Sequence, residues 1–304
     1  MKKFKRIAFL GLVFSISLFS LVGCSPKTGV MLPSWAYDGL MSEDSELVAD
    51  ANLRIMSYNV LVAAWGGDDL LPESMSNKSS VRAEMLSKVL AHYTPDVVGL
   101  QEFCESWHKS FKGYMGDYAM TLTKNSNYTT IIYNTKTVKL LESDVLEFSK
   151  HNSKKMRYVN WALFERLESK QKFIVLNSHL DFGKNKDMQE VQIKEYANLV
   201  LDLEKKYNCP IFALGDYNAM EKNEKEASDI YKSFMDISKA KDAKYDYDNI
   251  VKLCGSECKY EDESWDHIFI KGDSVLPTAF NVLSNKFYTS LSDHYPIYVD
   301  VKLS

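Results

Sequence analysis

The chain has no excess of basic residues: 37 Lys+Arg stand against 41 Asp+Glu, a formal net charge of -4. That removes the broad positive footprint of a tight nucleic-acid binder. It does not exclude turnover of a phosphate substrate, because a bound divalent cation supplies positive charge where the phosphate lands. Cysteine is scarce, 5 in 304 residues, and only Cys254 and Cys258 are closely spaced. A zinc site needs two more ligands and no second close pair exists, so a zinc hydrolase built on these cysteines is disfavoured. A disulfide between Cys254 and Cys258 is expected instead, with Cys104 and Cys209 as buried small hydrophobes. The chain also lacks internal repeats and any domain-length linker, which excludes a solenoid and a multidomain array.

Long apolar runs are confined to the start. Met1 to Arg6 is a basic cap, and Ile7 to Gly23 is apolar with only serine interruptions. This reads as a secretory signal, too short and too poorly flanked for a permanent span. It closes on Leu21-Val22-Gly23-Cys24, which resembles the lipobox of bacterial lipoproteins. The resemblance implies cleavage before Cys24 and lipid on that residue, hence a membrane-anchored, extracytoplasmic protein of the bacterial cell envelope. Loss of Lys2, Lys3, Lys5 and Arg6, with no acid, makes the mature chain more acidic still. Residues 24–50, rich in Ser, Pro, Gly and acids without periodicity, read as a tether. The catalytic domain is expected over 51–304.

Within that domain the apolar spacing predicts a strand over 53–62, a helix through Val81, Met85, Leu86, Val89 and Leu90, and a strand over 96–101. Further strands are expected over 128–133, 159–164, 173–179, 211–215, 266–270 and 294–301. Helices are expected over 187–206 and 221–240, with a charged loop over 241–263. Strands in pairs with intermittent helices point to packed sheets flanked by helices.

Polar residues stand where a soluble core would prefer apolar ones. They form short segments at strand ends: Ser57-Tyr58-Asn59, Gln101-Glu102, Asn177-Ser178-His179, Gly215-Asp216-Tyr217-Asn218, Trp265-Asp266-His267 and Ser292-Asp293-His294-Tyr295-Pro296. Carboxylates, amides and imidazoles converging at strand ends indicate a metal-assisted hydrolytic site. Glu102, an acid at the end of an apolar strand, suits a hard cation such as Mg²⁺, with Mn²⁺ or Ca²⁺ as alternatives, and Asn59 is placed to orient it or to reach a phosphate. Asp216 and Asn218, two apart, share a side if the chain is extended, and then pair a base for water with a donor to a phosphate oxygen. The same residues also read as a turn.

These segments, from Arg54 to Val301, resemble the endonuclease/exonuclease/phosphatase superfamily, with Gly215-Asp216-Tyr217-Asn218 and Leu291 to Ile297 the most specific matches. The resemblance implies a deoxyribonuclease I-like α+β fold: a four-layer α/β/β/α sandwich of two mainly antiparallel sheets between helices. It makes His294 the general base or phosphate ligand, oriented by Asp266, and Asp293 a metal or water ligand. His179 becomes the acid for the leaving group and, with Asn218 and Arg157, a phosphate contact. Asp181 shapes the pocket. His267 is expected to face away from Asp266 and to be structural. Where deoxyribonuclease I supports its histidine with a glutamate, this chain offers Tyr128 or Asn127.

The function expected is a lipid-anchored, divalent-metal-dependent phosphoesterase, a monomer acting on phosphodiesters of nucleic acid or of a phospholipid head group. The Trp-Cys-Asp-Arg tract of the inositol phosphatases is replaced by Ser264-Trp265-Asp266-His267, which lowers a phosphomonoesterase of the phosphoinositide type. An inactive surface-binding lipoprotein on the same fold is the other alternative, disfavoured because the polar set is complete.

Overall fold

The apolar spacing along the chain resolves into two sheets packed face to face. In this computed structural model the residues described are 37–41, 44–48, 50–63, 79–121, 127–152, 157–182, 186–219, 225–247, 250–253 and 265–304. In chain order the elements are α1 (Asp38–Met41), β1 (Leu53–Asn59), α2 (Ser79–Tyr93), β2 (Val97–Gln101), α3 (Glu105–Phe111) and β3 (Tyr118–Met120). Then come β4 (Ile131–Asn134), β5 (Val138–Glu147), β6 (Tyr158–Arg166), β7 (Lys172–His179), α4 (Lys186–Tyr207), β8 (Ile211–Asp216) and α5 (Lys225–Ser238). The last are β9 (Lys241–Asp242), β10 (Val251–Lys252), β11 (Asp266–Lys271), β12 (Val275–Val282), α6 (Lys286–Thr289) and β13 (Ile297–Leu303).

One sheet has 7 strands in the order β10-β12-β13-β1-β2-β4-β3, and the other has 6 in the order β5-β6-β7-β8-β11-β9. Pairing is antiparallel except at β1/β2, β7/β8 and β10/β12. The parallel pairs β1/β2 and β7/β8 each need a crossover, which α2 and α4 provide. Helices α2 and α3 cover the outer face of the first sheet through Met85, Leu86, Val89, Trp107 and Phe111. Helices α4 and α5 cover the second through Ile193, Tyr196, Val200, Ile230 and Phe234. This is the four-layer sandwich expected.

The middle layer is built by alternation. Leu53 and Ile55 of β1, Val97 of β2, Phe173 and Val175 of β7, and Phe212 and Leu214 of β8 pack between the sheets. Their neighbours Met56, Tyr58, Ile174, Leu176 and Ala213 turn to the helices. Following the inner row to its end leads from these apolar residues to Asn59, Gln101, His179 and Asp216, so all of them arrive at one rim.

Several boundaries differ from expectation. Strand β1 stops at Asn59, and the expected strand over 128–133 begins as a 3₁₀ turn at Asn127–Thr129. Strand β13 starts at Ile297 rather than at His294, because Pro296 has no N–H for the ladder. The expected loop over 241–263 contains β9 and β10. The longest strand, β5, was not expected: its alternation is broken by Glu142, Ser143 and Asp144 at a bulged sheet edge. Cys104 is buried, and it and the half-buried Cys209 are free thiols. Cys24, Cys254 and Cys258 lie outside the described residues, as do residues 1–36.

Part of the expected tether belongs to the domain. The buried Arg54 guanidinium donates to Asp300 at 2.6 and 2.8 Å, to the Tyr93 carbonyl at 2.9 Å, and to the carbonyls of Ser45 and Glu46 at 2.7 and 2.9 Å. Val48 N–H donates to Asp300 at 3.3 Å, and Tyr37 Oη to Glu84 at 3.0 Å. A charge buried among carbonyls draws the preceding chain onto the sheet. Removing one partner of such a pair costs about 3–5 kcal/mol. Asp300→Ala is therefore expected to lower urea stability by about that amount, and the double replacement Arg54→Met/Asp300→Leu by clearly less than the sum of the single changes. Additive losses would contradict this account.

Candidate active site

Five elements deliver the rim residues. Asn59 ends β1, His179 ends β7, Asp216 ends β8, Asp266 begins β11, and His294 lies just before β13. Gly215, with φ of 148°, lets β8 run so close to β7 that a Cβ would lie 2.2 Å from the Ser178 carbonyl. That closeness carries Asp216 against His179.

Asp216 is the hub. Its Oδ2 accepts from Asn59 Nδ2 at 3.0 Å and lies 3.3 Å from His179 Nε2 and 3.7 Å from His294 Nε2. Its Oδ1 accepts the Asn218 N–H at 2.9 Å. His294 Nδ1 lies 2.6 Å from Asp266 Oδ2, the geometry of a carboxylate orienting an imidazole. Ser292 Oγ donates to the Asn59 carbonyl at 2.6 Å and ties the His294 loop to β1.

The two imidazoles are tuned apart. Burial would make His294 less basic, but the carboxylates of Asp266, Asp216 and Asp293 outweigh it and hold its pKa up at about 10. His179 is held well below the ordinary value by burial, then by Arg157 and His294. Asp216 is pushed up to about 6, by burial first; His294 and the donors Asn218 and Asn59 oppose this, and Asp266 adds to it. The rim therefore holds a cationic imidazole, a neutral one and a carboxylate that ionises near neutrality.

Glu102 sits beside this group. As the residue after the inward-facing Gln101 it should face outward, but its φ of 58° turns it back. Its Oε1 accepts from Asn59 Nδ2 at 3.3 Å, and its Oε2 from the Val62 N–H at 2.9 Å. Asp293 is exposed, next to Ser292, whose Oγ lies 3.4 Å from Asp293 Oδ1. Asp216, Asp266 and His294 offer atoms within 4.8 Å of one another, a grouping that could hold a metal ion. Carboxylate and amide oxygens predominate at the rim, so the residues present fit a hard divalent cation.

Some site residues are placed otherwise than the sequence led us to expect. Arg157 is 4% exposed; its Nε donates to Asp181 at 3.1 Å and its Nη1 to the His179 carbonyl at 3.1 Å. It braces the end of β7 from beneath instead of opening to a substrate phosphate. Asp181 is occupied by Arg157, by Gln192 Nε2 at 2.8 Å and by the Asn152 N–H at 3.0 Å. Of the two readings of Asp216 and Asn218 the structure has the turn: β8 ends at Asp216, the Asn218 φ is 47°, and its Nδ2 donates to the Leu180 carbonyl at 2.9 Å. The turn geometry aims its amide at the β7 loop. Among the described residues no hydrogen bond reaches His179 Nδ1, so Tyr128 does not take the place of the supporting glutamate there; the Asn127 side chain lies outside the described residues.

The sequence reading placed Gln101 and Asn177 among the polar strand-end segments without a role and passed over Gln189 and Gln192; these residues hold the rim together. Gln101 Nε2 donates across the sheets to Asn177 Oδ1 at 2.6 Å, and Asn177 Nδ2 to the carbonyls of Leu100 and Thr130 at 2.9 and 3.1 Å. Gln189, on the buried face of α4, donates to the Asn218 carbonyl at 3.0 Å. A glutamine on an otherwise apolar helix face was the available signal for Gln189 and Gln192.

His267 turns to the other face of β11. Its Nδ1 lies 2.8 Å from Asp242 Oδ2 and its Nε2 2.9 Å from the Ala219 carbonyl.

No family model matches the chain. Solved structures share its fold. An endonuclease/exonuclease/phosphatase from Bacteroides vulgatus superposes with a TM-score of 0.65 at 20% identity, over 83% of this chain and 99% of that one. A mannosyl-6-phosphatase of Bacteroides thetaiotaomicron gives 0.63 at 20% identity, over 82% and 99%. Danio rerio tyrosyl-DNA phosphodiesterase 2 with a single-stranded DNA product gives 0.57 at 22% identity, over 82% and 98%. Among curated proteins, tyrosyl-DNA phosphodiesterase 2 of Danio rerio is 31% identical over 146 residues, 48% of this chain and 36% of that protein. The match thus spans about a third of that relative's length. The chain has the fold of the endonuclease/exonuclease/phosphatase proteins.

Burial would make His267 less basic, but the hydrogen bond and charge of Asp242, then the Ala219 carbonyl and Asp266, raise its pKa above the ordinary value. A raised histidine contributes stability that is fully present below the unfolded value of about 6.5 and is lost as pH rises through the folded value. The melting-temperature advantage of the wild type over His267→Gln is expected to shrink as pH climbs above about 6.5. Parallel pH profiles for the two proteins would reject this.

Proposed function

We propose that the protein is a lipid-anchored, divalent-metal-dependent phosphoesterase that hydrolyses phosphodiesters of nucleic acid or of a phospholipid head group. The observation that carries it is the convergence of Asn59, His179 and His294 on Asp216, with His294 paired to Asp266 at 2.6 Å. The likeness to a DNA phosphodiesterase and to a sugar phosphatase supports phosphoester chemistry. Because the sugar phosphatase acts on a monoester, monoesters belong in the assay as the second reading.

A phosphodiester anion repels hydroxide, so hydrolysis needs positive charge at the phosphate, a base for the water and help for the leaving oxygen. Mg²⁺, Mn²⁺ or Ca²⁺, when bound, supplies that charge and lowers the pKa of water, and Glu102, Asn59 and Asp293 would hold it. The His294 imidazolium, steadied by Asp266, attracts a phosphate oxygen. Asp216, ionised above about pH 6, takes the proton of the attacking water. Neutral His179 keeps an N–H to hydrogen-bond the leaving oxygen, which takes up the proton that Asp216 accepted, directly or through solvent. Asn59 holds the Asp216 and Glu102 carboxylates in one orientation.

The assay is hydrolysis of bis-p-nitrophenyl phosphate by the purified protein, beside duplex DNA, RNA, sphingomyelin and a sugar monophosphate. Activity is expected with Mg²⁺, is abolished by EDTA, and falls roughly 10²- to 10⁴-fold in His294→Ala. Full activity in that variant, or in EDTA, would sink the proposal. The anchor is supported by the basic cap, the apolar run and Cys24 in register. Cys24→Ala is expected to lose radiolabelled palmitate and to leave the membrane fraction; a variant still labelled and sedimenting with membranes would refute lipidation there.

A further inference from the structure

The short loop after β1 has two faces. Its amides serve the site: Leu61 N–H donates to Asn59 Oδ1 at 3.0 Å and Val62 N–H to Glu102 Oε2 at 2.9 Å. Its carbonyls point the other way, and one side chain takes all three. Arg82, in the first turn of α2, donates through Nη2 to the carbonyls of Val60 and Leu61, the latter at 3.0 Å, and through Nη1 to that of Val62 at 3.1 Å. Its Nε donates to the Leu291 carbonyl at 2.8 Å, in the loop that carries Ser292, Asp293 and His294.

Arg82 is 0% exposed. Its guanidinium lies 4.8 Å from the centre of the Trp107 ring, and Trp107 Nε1 donates to the Leu61 carbonyl at 2.8 Å. Leu61 is thereby held at a φ of 56°, a conformation a leucine rarely adopts. A planar fork of N–H groups spans four carbonyls on two loops; a lysine ammonium, with three donors on one atom, cannot. The two loops carry different parts of the rim. One sets Asn59 and Glu102, the other Asp293 and His294.

We propose that Arg82 is a positioning residue for the cation: by clamping loop 60–62 to Leu291 it fixes the Glu102 and Asn59 oxygens and their separation from the His294 loop. It touches neither the substrate nor the cation. The inference rests on the metal-dependent reading above and adds to it the residue that orients the ligands. Outer partners of ligating groups commonly govern affinity about 10- to 100-fold.

Direct binding of Mn²⁺, measured by calorimetry and by electron paramagnetic resonance on the full chain, tests this without turnover. Arg82→Lys and Arg82→Gln are expected to bind Mn²⁺ about 10- to 100-fold more weakly. Leu86→Ala, a cavity variant on the same helix with no bond to either loop, is expected to keep wild-type affinity. Should the Arg82 variants fail to fold, Trp107→Phe, which removes the donor to Leu61 and leaves a smaller ring beside the guanidinium, is expected to weaken Mn²⁺ several-fold. The Mg²⁺ concentration for half-maximal hydrolysis is expected to rise in step with the Mn²⁺ dissociation constant. Mn²⁺ bound by the wild type, lost in Glu102→Gln and unchanged in folded Arg82 or Trp107 variants overturns the role of Arg82 alone. A wild type that binds no Mn²⁺ overturns the metal reading and this inference with it.

Discussion

Alternation of side chains across a strand is the constraint on which the molecule depends. Two sheets packed face to face must fill the space between them from every second residue of each strand. Along most of β1, β2, β7, β8 and β11 these residues are Leu, Ile, Val and Phe. At one end the same rows end on Asn59, Gln101, Asn177 with His179, Asp216 and Asp266. The intervening Tyr58, Leu100, Ser178, Gly215 and His267 lie on the helix-facing side. A shift of one residue in any register would exchange a site residue for a structural one. Site and core are therefore consecutive parts of one layer.

Burying that many polar groups is tolerable because most of them pair with one another, Gln101 Oε1 and His179 Nδ1 being exceptions among the described residues. Gln101 and Asn177 meet across the sheets at 2.6 Å, Gln101 also reaches Ser57 Oγ at 3.1 Å, and Asn177 holds the Leu100 and Thr130 carbonyls. A buried donor left without a partner costs about 1–3 kcal/mol, so this amide bridge favours one alignment of the sheets over sliding alternatives. Gly99 marks how tight the alignment is: a Cβ there would fall 2.8 Å from the Asn177 side chain. Arg157 braces the His179 carbonyl, and Gln189 and Gln192 of helix α4 brace Asn218 and Asp181, the residues that follow the two strand ends.

The strand-end polar segments were legible because alternation and composition are local. Asp266 facing the rim while His267 turns to Asp242 follows from neighbours on a strand. The geometry of Glu102 was not legible, since it depends on a positive φ at a non-glycine residue, which nearby tertiary contacts impose; the turn at Asn218 was one of two readings that its residues allowed. Arg157 was read as a phosphate clamp from the family resemblance, and its pairing with Asp181, on another strand end, is a tertiary contact that the sequence does not show. Arg54 and Arg82 were overlooked. Each sits on an apolar face, with Met56 and Tyr58 on β1 or with Val81, Met85 and Leu86 on α2. Strand β5 escaped because an edge strand is wetted on both faces and loses its period.

The position of β13 has a consequence for how the chain reaches its native state. The last strand lies in the middle of the seven-stranded sheet, between β12 and β1, the first strand. Until residues 297–303 arrive, β1 keeps a bare edge and the sheet remains in two pieces. Pairing such distant segments is slow, because the whole intervening loop must close first. The strand brings His294 with it, so the imidazole and the seam are completed in one event. A chain whose residues 297–303 have not yet left the ribosome has neither, and the topology of its own sheet keeps its rim incomplete until they do.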